Sequence, residues 1–415
     1  MQTGSGDLSS AAGNENPAIG LYVHFPYCLQ KCAYCDFFSV GLLSSGKQVK
    51  GAGSEQLVRF ATGLLAELDA RAESLSARTI DSVYFGGGTA SLMPAEVIAR
   101  ILDAVRTSAS LAQEAEITVE GNPENFTGDY LKQLHEIGIT RVNVGIQTFN
   151  GRHLEAMNRF FNEERYASIL EDLSSGPISN FGLDLIYGFP GQSRTEFEND
   201  LRRCLEARPA HLSVYSLTAE ENTPYYAAVE RGVEKAPEED LQCELFEALP
   251  ALLRPYGLHH YEVSNFARSG SECRHNLHYW NYEPYIGLGP GAHGFDGRLR
   301  YANPRNIAAW EAAPAVAPLA PHEPQNDIPL MMARLCGWIS LDQFRDVARS
   351  GGLDAVAALK ATRRLVQNWN RQGYCELNPD GERFRWRPAG LLDLDSRIAE
   401  WSSELTASLA IPASP

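Results

Sequence analysis

The stretch Gly20–Phe37, GLYVHFPYCLQKCAYCDF, sets an apolar run directly before three closely spaced cysteines. Gly20–Pro26 has the aromatic and β-branched content of a strand. Cys28, Cys32 and Cys35 follow with C-x3-C-x2-C spacing, so a single loop can turn three thiolates towards one soft metal centre. Three thiolates leave one iron of a cubane cluster without a protein ligand and open to an exogenous chelator. A zinc ion completed by His24 or by a distant cysteine such as Cys273 meets the same demand for soft ligands, although structural zinc usually draws on two short Cys/His motifs.

Outward from that loop, similar runs recur at Ser82–Gly86, Glu116–Glu120, Arg141–Ile146, Gly182–Tyr187 and His211–Ser216. Between them lie segments with helical periodicity, among them EQLVRFATGLLAELDARAESL (55–75) and PAEVIARILDAVRTS (94–108), where Pro94 suits a first helical position. Strands alternating with helices predict a parallel sheet. Six such units fall short of a closed eight-stranded barrel. The expected fold is therefore α/β, a partial, three-quarter (β/α)6 barrel open on one side. Each strand ends in polar, Gly or Cys residues: the cysteine loop, GGGT (86–89), EGNPE (120–124), QTFN (147–150), YGFPGQ (187–192) and TAEENTP (218–224). Parallel barrels collect their active groups at those carboxyl ends.

The flanking segments divide the chain further. Residues 1–18 read as a disordered leader, and 19–312 as the barrel with an aromatic, His- and Gly-rich segment that completes or covers its mouth. GLLSSGKQVKGAGS (41–54) reads as a surface loop. Residues 313–325, rich in Pro and Ala, read as a linker. Residues 326–415 read as a small helical domain resembling a winged helix, with a hairpin turning at Asp380 and Gly381.

The 415 residues carry a formal net charge of -16, which speaks against nucleic acid as a partner, since phosphate binding needs clustered Lys and Arg. A few local arginines still suffice for a small anionic ligand. No apolar run is long enough for an integral membrane anchor. Residues 1–17 lack the features of a signal or transit peptide, and eight cysteines without a secretion signal suit a reducing compartment. A cytoplasmic protein is expected.

The three-cysteine loop with Tyr34 before its last cysteine resembles the signature of the radical-SAM superfamily. That resemblance implies a [4Fe-4S] cluster on Cys28, Cys32 and Cys35, with the amino acid end of S-adenosylmethionine (SAM) on the open iron. It also implies reductive cleavage of SAM to methionine and a 5'-deoxyadenosyl radical, and an electron donor for the cluster. GGGT resembles the superfamily's glycine motif, which implies that Gly87, Gly88 and Thr89 approach the SAM amino group. Tyr22, Glu120, Gln147, Arg159 and Asp184 match, in order and spacing, SAM-contacting positions of the porphyrin-related branch. Taken singly, Glu120, Gln147 and Asp184 read equally well as helix caps or loop ties.

From Gly20 to about Gly294 the chain is similar to the HemN/HemW group, on LYVHFPYC, VYFGGGTASL, LDLIYGFPGQ, HLSVYSLTAE and HYEVSNFARSG. Within it, Phe37 stands where the coproporphyrinogen III dehydrogenases carry a fourth cysteine. HNLHYW (275–280) resembles the HNxxYW haem motif of the haem chaperones. The expectation is a haem chaperone that delivers haem to acceptor haemoproteins while carrying a SAM-binding cluster, with His275 on the iron and Tyr279 and Trp280 against the porphyrin. His278, His293 and Cys273 are competing iron ligands, and His275 also reads as a core histidine satisfied by its neighbours. The alternative activity is radical-SAM oxidative decarboxylation of porphyrinogen propionates. Haem delivery to respiratory enzymes implies peripheral association with a membrane.

Overall fold

A computed structural model describes residues 18–44, 47–48, 52–312, 317–318 and 323–409. The leader and most of the linker lie outside the described residues. Of the 41–54 insertion, Leu43–Ser44 and Lys47–Gln48 pair as a short antiparallel hairpin.

Six parallel strands run in sequence order: β1 (Ile19–Phe25), β2 (Thr79–Gly87), β3 (Ser110–Gly121), β4 (Arg141–Gln147), β5 (Phe181–Tyr187) and β6 (His211–Ser216). They form a partial barrel. β6 is continued antiparallel by β8 (Asn265–Ala267), itself paired with β7 (His259–Glu262). On the other side, β9 (Tyr285–Leu288) lies parallel to β1 and leads antiparallel into β10 (His293–Phe295) and β11 (Arg300–Ala302). Ala317–Pro318 pairs antiparallel with β11 as the edge strand, and among the described strands no pairing joins that edge to the β7 end of this sheet. β9 is a seventh parallel strand that the sequence reading did not separate from the aromatic segment around it. Its four residues, YIGL, are too few for a periodic signal.

Alternate residues of each strand face the helices or the lumen, as a period of two requires. Leu21, Val23 and Phe25 of β1, Val83 and Phe85 of β2 and Ile117 and Val119 of β3 join Phe60, Leu64 and Leu68 of α1 (Ala52–Ala70) in the main core. Ile98, Ile101, Leu102 and Val105 fall at helical spacing on the next helix, Ala95–Ser108. Pro94 is the N-cap of that helix, one place ahead of the position expected. The lumen face is polar. Tyr22, Tyr84 and Thr118 lie at one level and His24, Gly86 and Glu120 at the next towards the carboxyl ends.

A second core lies beyond the barrel. Helices Pro324–Met332, Leu341–Ser350 and Ala355–Gln372 precede the hairpin Cys375–Leu377/Arg383–Trp386, with Ile339–Ser340 as a third strand, which is the winged-helix order. Gly381 turns the hairpin at φ 74°, a conformation that costs glycine nothing. Trp369, Trp401, Phe344, Phe384 and Trp386 fill this core, which reaches the barrel edge through Tyr282 and Phe295.

Candidate functional site

The cysteine loop leaves the carboxyl end of β1 and is closed at its base, where Tyr27–Cys28 pairs in parallel with Val40–Gly41. Cys28 is buried, while Cys32 and Cys35 are half-buried. Arg159 reaches the loop with Nη1 3.7 Å from the Cys32 sulfur. Burial pushes the Cys28 thiol up and the Cys35 thiol to about 11, and the neighbouring thiols add to both rises. Three buried or half-buried thiols on one loop fit the donor set that a [4Fe-4S] cluster would take. Tyr34 packs with Met157, Ile186 and Phe189 and anchors the loop to the barrel rim. Among the described residues no group of three or more His, Cys, Asp or Glu converges as ligands of one metal ion. A zinc ion draws its ligands onto a single point, whereas a cubane binds each thiolate on a separate iron.

The glycine motif faces this loop. A Cβ on Gly88 would stand 2.6 Å from the carbonyl oxygen of Tyr27, and one on Gly87, whose φ is 107°, would stand 2.8 Å from the His24 ring. The missing side chains first admit the backbone of the cysteine strand, to which Gly88 and Thr89 donate through their N–H groups at 2.6 and 2.8 Å.

Below the loop, the lumen holds the carboxylates expected from the sequence. Glu120 accepts from the Tyr84 hydroxyl at 2.7 Å. Burial pushes its carboxyl up to about 7, with Asp184 adding to the rise against the Tyr84 bond. Asp184 accepts from Asn143 Nδ2 at 3.1 Å, and burial raises its pKa also. Gln147, at the end of β4, is held at φ 68°, and its Oε1 is buried without a hydrogen-bond partner. Non-glycine residues in the left-handed region carry strain that the surroundings must enforce, and such strain concentrates at functional sites. Arg159 donates to Asn122 and to the Gly145 carbonyl, while its Nε is buried and unpartnered. Two destabilised carboxyls and two orphaned polar atoms around one space suit a zwitterionic, positively charged small molecule such as SAM.

HNLHYW lies at the opposite end. It forms the helix Arg274–Trp280, which crosses the amino-terminal mouth of the barrel. Arg274 donates through its N–H to Glu116 and through its guanidinium to the carbonyls of Asp81 and Glu114. His275 is 1% exposed, with Nδ1 3.1 Å from the Ser82 hydroxyl and Nε2 2.8 Å from the Tyr279 hydroxyl. Burial holds its pKa well below the usual value, so the ring is neutral and both nitrogens are engaged. Its ring stacks with Tyr22 and Tyr84 at 6.0 and 5.4 Å between centroids, linking this mouth to the carboxylate layer above. Tyr279 packs edge-on to Tyr285, and Trp280 lies under the Arg334 guanidinium.

The competing ligands differ among themselves. His278 sits between Asp81 at 2.7 Å and Glu283 at 2.9 Å. Burial opposes its charge, but the two carboxylates outweigh it and push its pKa up to about 9. Cys273 is buried with its sulfur 3.6 Å from Glu116. His293 is exposed on β10, and no hydrogen bond to its ring is formed among the described residues. His24 bridges the Tyr22 hydroxyl at 3.0 Å and the Phe38 carbonyl at 2.8 Å, a structural role.

Sequence reasoning missed the supporting residues Ser82, Tyr84, Asn122 and Asn143, and the buried Arg141–Glu116 pair at the closed mouth. For Ser82 and Tyr84 a signal existed: they alternate with Val83 and Phe85 in the second strand, which places them on the lumen face.

A parallel partial barrel with a three-cysteine loop and buried carboxylates at its carboxyl mouth defines a radical-SAM protein, and the family model described as Radical SAM superfamily matches residues 22–204. The heme chaperone HemW of Mycobacterium tuberculosis is 36% identical over 354 residues, covering 85% of this chain and 89% of that protein. Heme chaperone HemW of Escherichia coli is 35% identical over 287 residues, covering 68% of this chain and 72% of that protein. The solved coproporphyrinogen III oxidase HemN of Escherichia coli, a radical SAM enzyme, superposes with a TM-score of 0.73 at 19% identity, over 94% of this chain and 91% of that one. The chain belongs to the HemW family of heme chaperones within the radical-SAM superfamily.

Proposed function

We propose that this protein binds haem and passes it to acceptor haemoproteins, and that it carries a [4Fe-4S] cluster on Cys28, Cys32 and Cys35 with SAM on the open iron. The observation that carries the cofactor part is the joint placement of the cysteine loop, Glu120, Asp184, Gln147 and Arg159 around one space. The haem part rests on the family and on HNLHYW. The cluster supplies one-electron chemistry at the SAM sulfonium, drawing on a separate electron donor. Tyr22, bonded to His24 and stacked on Tyr84, forms one wall of that space. Tyr34, Gly87, Gly88 and Thr89 hold the loop against it, Glu120 and Asp184 face the cationic groups of SAM, and Arg159 borders the cluster.

In the conformation described, HNLHYW closes the barrel base, and His275 reaches iron only after its ring bond to Ser82 or to Tyr279 breaks. A neutral imidazole stacked beneath Tyr22 couples any movement of this helix to the SAM layer. Tyr279 and Trp280 move with it, one against Tyr285 and the other against the winged-helix unit through Arg334.

Eight unpaired cysteines suit a reducing compartment, and we place the protein in the cytoplasm, with peripheral contact to a membrane where the acceptor is membrane-bound. Among the described residues no helix is long and apolar enough to cross a membrane. The test is haem transfer: haem-loaded protein, mixed anaerobically with an apo-haemoprotein, moves its Soret band to that of the acceptor. Retention of haem by the donor refutes delivery. Loss of propionate carbon from coproporphyrinogen III in the presence of reductant and SAM reassigns the protein to the decarboxylases.

A further inference from the structure

HNLHYW is held from two sides. Residues four apart share a face of the helix Arg274–Trp280, so His275 and Tyr279 turn together towards the barrel, where His275 meets Ser82 and the Tyr84 ring. Leu277 and Trp280 fall about 140–200° around the helix from His275, at about 100° per residue. Both pack on the second core. The histidine face can therefore leave the barrel base only if the helix moves towards the C-terminal unit.

Arg334 joins that unit to the helix. It follows the helix Pro324–Met332, and its guanidinium lies 4.6 Å from the centroid of the Trp280 ring. Nη2 donates to the buried Glu262 carboxylate at 3.3 Å and to the Ser264 hydroxyl at 3.4 Å. The backbone sets it on the barrel edge: Val263 N–H donates to the Arg334 carbonyl and Cys336 N–H to the Tyr261 carbonyl, both at 3.0 Å. From the hairpin of the C-terminal unit, the Trp386 indole donates to the Ala333 carbonyl at 2.8 Å. A smaller tie runs from Gln343 Nε2 to Asn281 Oδ1 at 3.2 Å, one residue past HNLHYW.

This joint is incompletely bonded. Trp280 Nε1, Arg334 Nε and Asn265 Oδ1 are buried and form no hydrogen bond among the described residues. Each carries a desolvation penalty that water relieves when the joint opens. A cation over an indole ring and two long hydrogen bonds hold the joint shut, while three orphaned polar atoms lower the cost of opening it. That balance is what an element with two arrangements requires.

We propose that Arg334 is a positioning residue for haem loading: it latches the C-terminal unit against Trp280, keeps HNLHYW seated on the barrel base, and lets the helix move when haem loads. The assignment rests on the haem-binding reading given above, with HNLHYW as the haem motif. The winged-helix order then serves haem loading, a role that calls for no nucleic acid.

The experiment is stopped-flow haem association with the full-length, cluster-reconstituted protein, read by the Soret band, beside amide exchange of Arg274–Trp280 without haem. Arg334→Gln is expected to speed exchange of these amides and to raise the haem association rate about two- to thirtyfold, the span that loss of one cation–π contact allows. An unchanged iron-sulfur signal checks the fold. An Arg334 with a purely structural role would lower stability and leave the association rate unchanged or slower. Arg334→Lys keeps a cation over the ring and is expected to fall between Arg334→Gln and wild type. Gln343→Ala loosens the smaller tie without leaving Glu262 unpaired, and it is expected to shift both readings the same way even where Arg334→Gln fails to fold. Wild-type exchange and association in the folded variants, with haem binding intact, overturn the latch. Absence of haem binding by the wild type overturns the haem reading and the loading role with it.

Discussion

Glu67 is fully buried at 0% exposure on α1, and it is the acceptor that ties the loop carrying His293 to the barrel. Its Oε1 accepts from Arg71 at 3.0 Å and from Asn303 Nδ2 at 2.7 Å, and its Oε2 from the Gly289 N–H at 2.9 Å and Trp310 Nε1 at 2.8 Å. Glu67→Gln preserves shape but turns one oxygen into an NH2 group. Whichever way the amide faces, the donors on one side then point at a donor. Each buried donor left unpaired costs about 1–3 kcal/mol, so two cost about 2–6 kcal/mol. That is a large share of the ~5–15 kcal/mol that holds a typical domain folded. Equilibrium urea unfolding, followed by circular dichroism and tryptophan fluorescence, measures the loss. Amide exchange at Gly289 is expected to accelerate in parallel. A variant within about 0.5 kcal/mol of wild type, the range of an ordinary surface change, refutes the shared-acceptor reasoning.

Three further outcomes are expected. Glu120 has its pKa raised to about 7 in the free protein, so it gains negative charge as pH rises through that value. Affinity for cationic SAM should strengthen over the same interval in calorimetric titrations, and Glu120→Gln should bind more weakly and lose that part of the pH dependence. Gly88→Ala sets a methyl 2.6 Å from the Tyr27 carbonyl oxygen, against backbone that cannot move cheaply. The resulting strain, about 1–3 kcal/mol, should lower the iron content after reconstitution while far-ultraviolet circular dichroism is retained. Trp401 is 0% exposed and donates to Thr362 at 2.9 Å in the second core, so Trp401→Ala should cost about 3–5 kcal/mol in urea unfolding.

The barrel was legible because its signal is local and repeated. Five of the strands open within three residues of the sequence reading, as alternation in runs such as DSVYFGG would require. β3 opens six residues earlier, at Ser110, because SLAQEA is too polar to register as a buried run. The placement of the polar candidates was legible for the same reason, since Glu120 and Gln147 stand at the ends of their strands and Asp184 in the middle of its own, all three on the face opposite the buried apolar residues. What the sequence hid was direction. HNLHYW follows the barrel strands in the chain, yet the structure turns it to their amino-terminal ends. That turn depends on Arg274 meeting Glu116 and the carbonyls of residues 81 and 114, contacts between segments more than 150 residues apart. The buried acceptor role of Glu67 was invisible for a similar reason, because its donors at 289, 303 and 310 come from another part of the chain.

The central claim is a SAM-binding cluster on the cysteine loop of a haem-binding protein. Electron paramagnetic resonance of anaerobically reconstituted, reduced wild type and Cys32→Ala, with and without SAM, tests its cofactor half most directly. The account predicts a [4Fe-4S] signal in the wild type that shifts when SAM is added, and no such signal in Cys32→Ala. A full cluster signal in Cys32→Ala, or a wild-type signal that SAM leaves unchanged, contradicts it.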